Sequence, residues 1–292
     1  RDEIAAALRA GVRSFAVDRR GELEKLAALA PGDCEVSVRF KLPVAGAAYD
    51  FGAKFGADPA EAAALMRRAG AAGFTVSLAF HPGTQCSGPA PWGDYIAAAA
   101  RLERQSGVRV RRLNVGGGFP GHRAGERPDL QRFFAAIGAA VDRAWPRAGR
   151  PALLCEPGRG MVGEAMVLAL RVKARDGFRL YLNDGVYGTL AEFPDIGAVQ
   201  RVSVPGAGGA ARPFEVLGPT CDSLDRLPEP LMLPGGVAEG DHVLFFGMGA
   251  YSSALSTRFN GYGGAEVVDL SRGLAAAGAV GETGAREIPP QA

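Results

Sequence analysis

A carboxylate, a turn and a guanidinium stand directly after an apolar run near the middle of the chain. The tetrapeptide Glu156–Arg159 (Glu-Pro-Gly-Arg) follows residues 151–154, a pattern that predicts a buried strand ending at one rim of a sheet or barrel. A glycine at such a rim lets backbone N–H groups approach an anion, and a fixed glutamate can hold a proton donor such as a heterocyclic nitrogen. Taken alone, these residues are explained better by a strand-ending turn with a solvated ion pair.

Two earlier apolar runs also end in unusual residues. Gly116–Gly121 contains four glycines, whose backbone amides are free of side chains and suit a phosphate cradle. His81 precedes Pro-Gly and could stack on an aromatic cofactor or act in acid–base chemistry. Each has a structural alternative, a plain loop for the glycines and a hydrogen-bonded rim histidine for His81.

Two later segments add a thiol, carboxylates and a phenol. Cys221 and Asp222 lie within Gly218–Asp225, where a thiol flanked by carboxylates could donate a proton and bind a substrate cation. Tyr251 follows a glycine-rich turn. A structural turn with a buried cysteine, and a packed tyrosine, are the alternatives.

An alternation of helices and strands must position these groups. Apolar residues recur with helical or strand periodicity up to Glu156, at spacings of about 25 to 40 residues between strand ends, as in βα units. The expected strand ends lie near Asp18, Lys41, His81, Gly116 and Glu156. In a parallel barrel the functional groups collect at the C-terminal rim, which is where these clusters occur. From Glu164 onward, short strand-like runs separated by turns predict a β-rich domain.

These patterns predict an α/β fold. A barrel needs eight βα units, whereas this chain shows five and starts inside a helix. This pattern predicts about three further units upstream of Arg1. We therefore expect a partial (β/α)8 barrel of the TIM type over residues 1–163, without its first units. A β-rich C-terminal domain follows over residues 164–265, and a small-residue-rich tail over residues 266–292. A five-stranded open α/β sheet is the competing interpretation.

Composition excludes several classes of function. The chain has 33 basic and 31 acidic residues and a net charge of +2, without a basic block, so nucleic-acid binding is not expected. It has no apolar run of the roughly 18 residues that a membrane helix needs and no signal-peptide pattern, which predicts a cytoplasmic protein. Its four cysteines are scattered, and neither a disulfide framework nor a metal site is indicated.

Together, six motifs in this order resemble those of the fold type III, pyridoxal-phosphate-dependent decarboxylases of basic amino acids, most closely the ornithine decarboxylase branch. The motifs are His81–Cys86, Leu113–Gly121, Glu156–Arg159, Tyr181–Gly188, Gly218–Asp225, and Met248–Tyr251 with Phe259–Gly261. The resemblance extends from Arg1 to about Gly263. It implies an alanine-racemase-like barrel followed by a β-rich domain.

The resemblance also implies a role for each residue at the cofactor. Glu156 would pair with the pyridine nitrogen of pyridoxal 5'-phosphate, and His81 would stack on the ring. The residues implied to contact the phosphate are Thr84, Gly117, Gly118, Gly158, Arg159 and Tyr251. Thr84 stands where the family usually has serine, and the hydroxyl is retained.

For the substrate, the resemblance implies a homodimer with shared active sites. Cys221 and Asp222 would reach across the two-fold interface, where Cys221 reprotonates the carbanion and Asp222 binds the distal ammonium. Asp195 is a second candidate for substrate binding. The resemblance thus implies three catalytic residues, which are Cys221, His81 and Glu156.

The lysine that forms the Schiff base in this family lies on its first barrel strand, and the match begins after that strand. The lysines of this chain are Lys25, Lys41, Lys54 and Lys173, and none has the expected strand context. The chain is therefore interpreted either as a fragment of an enzyme or as a non-catalytic regulatory or binding relative. The joint retention of Cys221, Asp222, Glu156 and Arg159 favours the enzyme.

The implied activity is decarboxylation of ornithine or lysine to the diamine, through an external aldimine and a quinonoid, as in polyamine biosynthesis. Asp222 suits these two substrates. Relatives that act on larger substrates, such as diaminopimelate, carboxynorspermidine or siderophore precursors, are a further alternative.

Overall fold

Five parallel strands form the first sheet, in the order in which they occur along the chain. The computed structural model describes residues 1–30, 32–43 and 52–270. The strands are β1 (Ser14–Val17), β2 (Glu35–Arg39), β3 (Thr75–Ala79), β4 (Arg112–Asn114) and β5 (Ala152–Leu154). Each pairs in parallel with the next one. This sequential parallel order is the arc of a (β/α)8 barrel, and it confirms the predicted α/β class.

A helix precedes each of these strands. The helices are α1 (Asp2–Arg9), α2 (Arg20–Ala27), α3 (Pro59–Ala71), α4 (Ala90–Ser106) and α5 (Leu130–Ala144). Asp129 caps α5 by accepting hydrogen bonds from the backbone N–H groups of Gln131 (3.0 Å) and Arg132 (3.4 Å). The proline at the first turn of α3 suits a helix start, because its missing N–H would be unpaired there anyway.

Strand β2 shows how the sheet presents its polar face. Val36 and Val38 are fully buried and contribute about 1.5–3 kcal/mol each to the hydrophobic core. The alternate residues Glu35, Ser37 and Arg39 lie on the opposite face, where they line a cavity. The period of two therefore sends the apolar residues towards the helices and the polar residues inward.

Aromatic residues of α4 hold the strand ends in place. The Tyr95 hydroxyl accepts a hydrogen bond from the Leu42 N–H (2.8 Å) and donates one to the Leu42 carbonyl (3.1 Å). Its ring stacks on Phe80, with the ring centroids 4.5 Å apart. Trp92 donates from Nε1 to the Val115 carbonyl (3.1 Å). The residues that follow β3 and β4 are thus attached to a buried helix face.

Strand β5 differs from its prediction. The apolar run 151–154 predicts a buried strand, but Ala152, Leu153 and Leu154 are exposed, with Leu154 at 44%. Within the described residues β5 is the last strand of the sheet and pairs with β4 alone, so one side of it lacks a neighbour.

The second sheet has six strands and its own core. They are β6 (Val167–Asp176), β7 (Arg179–Leu182), β8 (Val202–Ser203), β9 (Ala211–Leu217), β10 (Leu231–Pro234) and β11 (His242–Phe246). Their order is β10-β9-β7-β6-β11-β8, antiparallel except for the parallel pair β7–β9. Leu180, Phe214 and Phe245 are fully buried in this core. The short helix α6 (Arg159–Val162) precedes this sheet in sequence, and α7 (Phe193–Ile196) lies between β7 and β8.

The short strands expected after Glu164 are therefore present. The domain boundaries at residues 163 and 265 stay predictions. Most of the predicted tail, residues 271–292, lies outside the described residues. No helix within the described ranges is long and apolar enough to cross a membrane.

Candidate active site

The ends of β3, β4 and β5 meet at one rim of the parallel sheet, as expected for parallel neighbours. The Glu156 N–H donates to the Gly116 carbonyl (2.9 Å). Gly117, after β4, lies between the residues that follow β3 and β5. A Cβ added to it would stand 2.8 Å from both His81 Nε2 and the Glu156 carbonyl oxygen. Only glycine fits there, because a Cβ would clash with the His81 ring and with the Glu156 backbone.

Glu156 is held in place by Asn114, the last residue of β4. Asn114 Nδ2 donates to Glu156 Oε1 (2.7 Å), and Asn114 Oδ1 accepts from the Gly116 N–H (2.9 Å). One amide therefore orients the carboxylate and the start of the glycine run together. The sequence analysis assigned no role to Asn114, although it lies inside the motif Leu113–Gly121.

His81 is a half-buried imidazole whose pKa is lowered to about 4, mainly by desolvation and secondly by the charge of Arg39, while Glu156 opposes the change. At neutral pH the ring is therefore uncharged. The Gly83 N–H donates to its Nδ1 (3.2 Å), so the neutral ring carries its proton on Nε2. A neutral ring beside a carboxylate suits stacking on a flat heterocycle.

A polar cavity of about 250 Å³ lies below these side chains, lined by residues from all five strands of the first sheet. His81 and Glu156 border it at the top of the sheet. Deeper in the cavity, Arg112 forms a two-pronged ion pair with Glu35, with 2.8 Å between Nε and Oε1, and Ser77 donates to the same carboxylate. The charges of Arg112 and Glu35 are thus paired with each other.

Arg159 begins α6 with its side chain only 4% exposed. Its Nη2 donates to Glu192 Oε1, and its guanidinium lies 5.0 Å from the centre of the Tyr251 ring. Its buried Nε has no hydrogen-bond partner among the residues that the structure describes. An unsatisfied buried donor on a charged group is costly unless an acceptor binds there. The site is therefore suited to an anion.

A second buried guanidinium lies beside the first. Arg123 pairs with Glu192 at 3.8 Å and donates to the Gly197 carbonyl. Desolvation, and secondly the positive charge of Arg159, lowers the pKa of Arg123 to about 10. These two guanidiniums share one carboxylate, which leaves one positive charge in the cluster. Arg123 and Glu192 were not predicted as site residues, because only the folded chain brings them to Arg159.

Further contacts join the loops that carry the other residues predicted to bind the phosphate. The Cys86 N–H donates to the Gly118 carbonyl (3.1 Å), which joins the Thr84 loop to the glycine run. A Cβ on Gly158 would stand 2.9 Å from the Tyr251 hydroxyl, so the phenol approaches the backbone of that turn. We call His81, Thr84, Gly117, Gly118, Glu156, Gly158, Arg159 and Tyr251 the strand-end group.

Cys221 and Asp222 belong to a second cluster, in loops of the β-rich part. Asp222 accepts hydrogen bonds from the Tyr187 hydroxyl (2.5 Å) and the Leu224 N–H (2.9 Å). The Tyr187 bond, and secondly the Leu224 bond, lowers the pKa of Asp222. Asn260 Nδ2 lies 3.1 Å from the exposed Cys221 Sγ.

Asp225 builds the loop that carries these two residues. It is 2% exposed and accepts from the backbone N–H groups of Val186 (2.9 Å) and Thr220 (3.0 Å) and from the Thr220 hydroxyl (2.8 Å). We call Tyr187, Cys221, Asp222, Asp225 and Asn260 the loop group.

The structure therefore gathers the predicted cofactor residues in one place and Cys221 with Asp222 in another. Within the described ranges, the hydrogen bonds of Cys221 and Asp222 join them only to residues near the loop group. Asp195 is exposed on α7, whereas its neighbour Glu192 contacts Arg159.

The four lysines all belong to the described residues, and none lines the 250 Å³ cavity. Lys25 pairs with Glu22, Lys41 donates to the Gly52 carbonyl (3.2 Å), and Lys173 lies 5.1 Å from the centre of the Tyr262 ring. No lysine of this chain is thus placed at the strand-end group.

Known proteins are similar to this chain in sequence and in fold. The family model described as "Pyridoxal-dependent decarboxylase, pyridoxal binding domain" matches residues 1–163. The lysine/ornithine decarboxylase of Selenomonas ruminantium is 34% identical over 268 residues, which cover 89% of this chain and 67% of that protein. The ornithine decarboxylase of Panagrellus redivivus is 32% identical over 287 residues, covering 89% and 65%. The chain thus spans about two thirds of the length of these relatives.

Solved structures agree. The lysine/ornithine decarboxylase from Vibrio vulnificus, complexed with cadaverine, matches with a TM-score of 0.76 and 32% identity, over 90% of this chain and 71% of that one. The Paramecium bursaria Chlorella virus arginine decarboxylase matches with a TM-score of 0.79 and 27% identity, over 90% and 73%.

Proposed function

Because the chain belongs to the pyridoxal-dependent decarboxylases, we propose that it binds pyridoxal 5'-phosphate and serves in the decarboxylation of a basic L-amino acid, ornithine or lysine, to the diamine. The observation that carries the proposal is the anion site at Arg159. Its Nε is a buried donor without a partner in the described part of the chain, and the cluster with Arg123 and Glu192 retains one positive charge. Both features fit a phosphate.

The rest of the strand-end group fits the other parts of the cofactor. Gly117 brings its backbone close to His81 and to the backbone of Glu156, where a Cβ would clash, so its N–H is free of a side chain and can approach an anion. Glu156, oriented by Asn114, would accept a hydrogen bond from the N–H of the pyridine ring and so keep the ring nitrogen protonated. His81, neutral at pH 7, would stack on the ring without adding charge. Thr84, Gly118, Gly158 and Tyr251 would contact the phosphate beside Arg159. When bound, the cofactor supplies an electron sink for the electrons left by the departing carbon dioxide.

The loop group would act on the substrate. Asp222, whose pKa is lowered by the Tyr187 hydroxyl, stays ionised at neutral pH and would bind the distal ammonium through a charge-assisted hydrogen bond. Cys221 Sγ would donate a proton to the substrate α-carbon after carbon dioxide leaves, and Asn260 offers the sulfur a hydrogen bond. Asp195 is a further candidate for substrate contact, although it lies exposed on α7.

We also propose a homodimer in which the loop group of one subunit completes the strand-end group of the other. Support comes from the hydrogen bonds of Cys221 and Asp222, which within the described residues stay in or next to the loop group, and from the exposure of Cys221.

No lysine of this chain is assigned to the covalent attachment of the cofactor. The absence of a lysine from the cavity lining, within the described residues, favours a second candidate, a relative that binds the cofactor without decarboxylation.

The first experiment compares the wild-type protein with Glu156→Ala and with the exposed control Glu239→Ala. Equilibrium dialysis measures binding of pyridoxal 5'-phosphate, and release of labelled carbon dioxide from ornithine and lysine measures activity. We expect binding and release in the wild type and the control, with both impaired by Glu156→Ala. Binding without release of carbon dioxide supports the second candidate, and absence of cofactor binding contradicts both.

The shared site has its own test. Glu156→Ala and Cys221→Ala are each expected to be inactive, and their mixture should regain up to about a quarter of the wild-type activity, because half of the randomly mixed dimers carry one intact site of two. A mixture that stays inactive contradicts the shared site.

A further inference from the structure

Gln85 has an unusual backbone and uses both ends of its side-chain amide. It lies between β3 and α4 with φ at +50°, a left-handed conformation that non-glycine residues adopt only when their surroundings hold them there. Its Oε1 accepts from the Gly121 N–H (2.7 Å), and its Nε2 donates to the Gly121 carbonyl (3.0 Å). The carboxamide thus pairs with a peptide group as a neighbouring strand would.

This pair joins the two loops that carry the predicted phosphate contacts. Gln85 follows Thr84 directly, and Gly121 ends the glycine run that contains Gly118. A second link lies beside it, from the Cys86 N–H to the Gly118 carbonyl (3.1 Å). Two consecutive residues of one loop therefore bind the other loop at two points.

Gly121 also supports the side chain of Arg159. A Cβ added to Gly121 would stand 2.8 Å from Arg159 Cγ and 3.1 Å from Cδ, so the aliphatic part of Arg159 packs directly on this backbone. The position of Gly121 therefore sets where the guanidinium can lie.

We propose that Gln85 is a positioning residue for the phosphate site: its carboxamide holds Gly121, and through it Arg159 and the glycine run, in the arrangement that receives a phosphate. This inference rests on the proposed cofactor. Gln85 acts through Gly121 and is assigned no contact with the cofactor itself.

Two substitutions separate the amide from the backbone conformation. Gln85→Gly tolerates the left-handed backbone and removes the amide. Gln85→Asn keeps an amide and also tolerates this conformation, but it is one methylene too short to reach both atoms of Gly121. Gln131→Asn makes the same chemical change at an exposed position of α5 and is the matched control.

The readout is the ratio of the affinities for pyridoxal 5'-phosphate and for pyridoxal, which lacks the phosphate. We expect Gln85→Gly and Gln85→Asn each to lower this ratio about tenfold, the loss typical of one or two neutral hydrogen bonds. Binding of pyridoxal should stay at the wild-type level, and Gln131→Asn should leave both affinities unchanged. A purely structural role would weaken both ligands together.

Hydrogen exchange in the cofactor-free protein measures the Gln85–Gly121 hydrogen bonds independently of ligand binding. The Gly121 amide should lose protection in both Gln85 variants, whereas the Cys86 amide, bound to Gly118, should keep most of it. If the wild type binds pyridoxal 5'-phosphate no better than pyridoxal, the proposed phosphate site fails, and the role of Gln85 fails with it. If the wild type prefers the phosphate form and the Gln85 variants keep that preference, the role of Gln85 alone is overturned.

Discussion

The strand-end group and the loop group control charge in different ways. Beside the strand-end group, the buried guanidiniums of Arg123 and Arg159 share Glu192, and desolvation is the main cause of the lowered pKa values of His81 and Arg123. In the loop group the carboxylate of Asp222 is adjusted mainly by a hydrogen bond from Tyr187. The first group therefore depends on the burial that the whole fold provides, and the second on hydrogen bonds within a few loops.

The largest effect that we expect tests how far the loop group depends on its hydrogen bonds. Asp225→Ala leaves three donors from Val186 and Thr220 without an acceptor in a buried place, and should lower the free energy of unfolding by about 3 kcal/mol. Urea unfolding measures it, with the exposed Asp33→Ala as control. An equal, small loss in both variants would show that the loops are held by other contacts.

The next effect concerns the shared charge. Arg159→Met removes the guanidinium with the unpaired Nε and should weaken binding of pyridoxal 5'-phosphate about 100-fold, as expected for the loss of charge-assisted hydrogen bonds. Pyridoxal binding should change much less. The control Arg226→Met alters a guanidinium that is 58% exposed. Equal losses for both ligands would contradict a phosphate contact.

The burial of His81 predicts a pH dependence of stability. Its pKa is about 4 in the folded protein against an ordinary value of 6.5, so between these pH values the unfolded state binds more protons. Stability should therefore fall as the pH decreases from 6.5 to 4, by about 2 kcal/mol from this residue. His81→Gln should reduce this pH-dependent loss of the free energy of unfolding, whereas the exposed control His242→Gln should leave it unchanged. Urea unfolding at several pH values measures the difference. Parallel curves for both variants would refute the prediction.

The smallest effect sharpens the role of Tyr187. Tyr187→Phe removes the hydrogen bond that is the main cause of the lowered pKa of Asp222, so this pKa should rise while the carboxylate stays ionised at neutral pH. Carbon NMR of the Asp222 carboxyl group measures the titration, and Tyr262→Phe is the control. An unchanged titration would mean that the Leu224 N–H sets the value by itself.

The two groups also differ in how much of them the sequence could predict. His81, Gly117 and Glu156 follow apolar runs, and because parallel strands end at a common rim, their meeting was predictable. The closeness of Cys221 and Asp222 to Tyr187 and Asn260 was not, since these loops have no period that relates them. Burial at β5 was predicted wrongly, because composition does not tell whether a strand has a neighbour on both sides.

Backbone periodicity is local, so the order of helices and strands, the change to short strands near Glu164 and the rim that carries the polar motifs were predictable from the residues alone. The sharing of Glu192 by Arg123 and Arg159, and the pairing of Gln85 with Gly121, appear only in the folded chain. These contacts join residues up to 69 positions apart (192 minus 123). Their geometry depends on how loops pack over the sheet, which no pattern along the chain encodes.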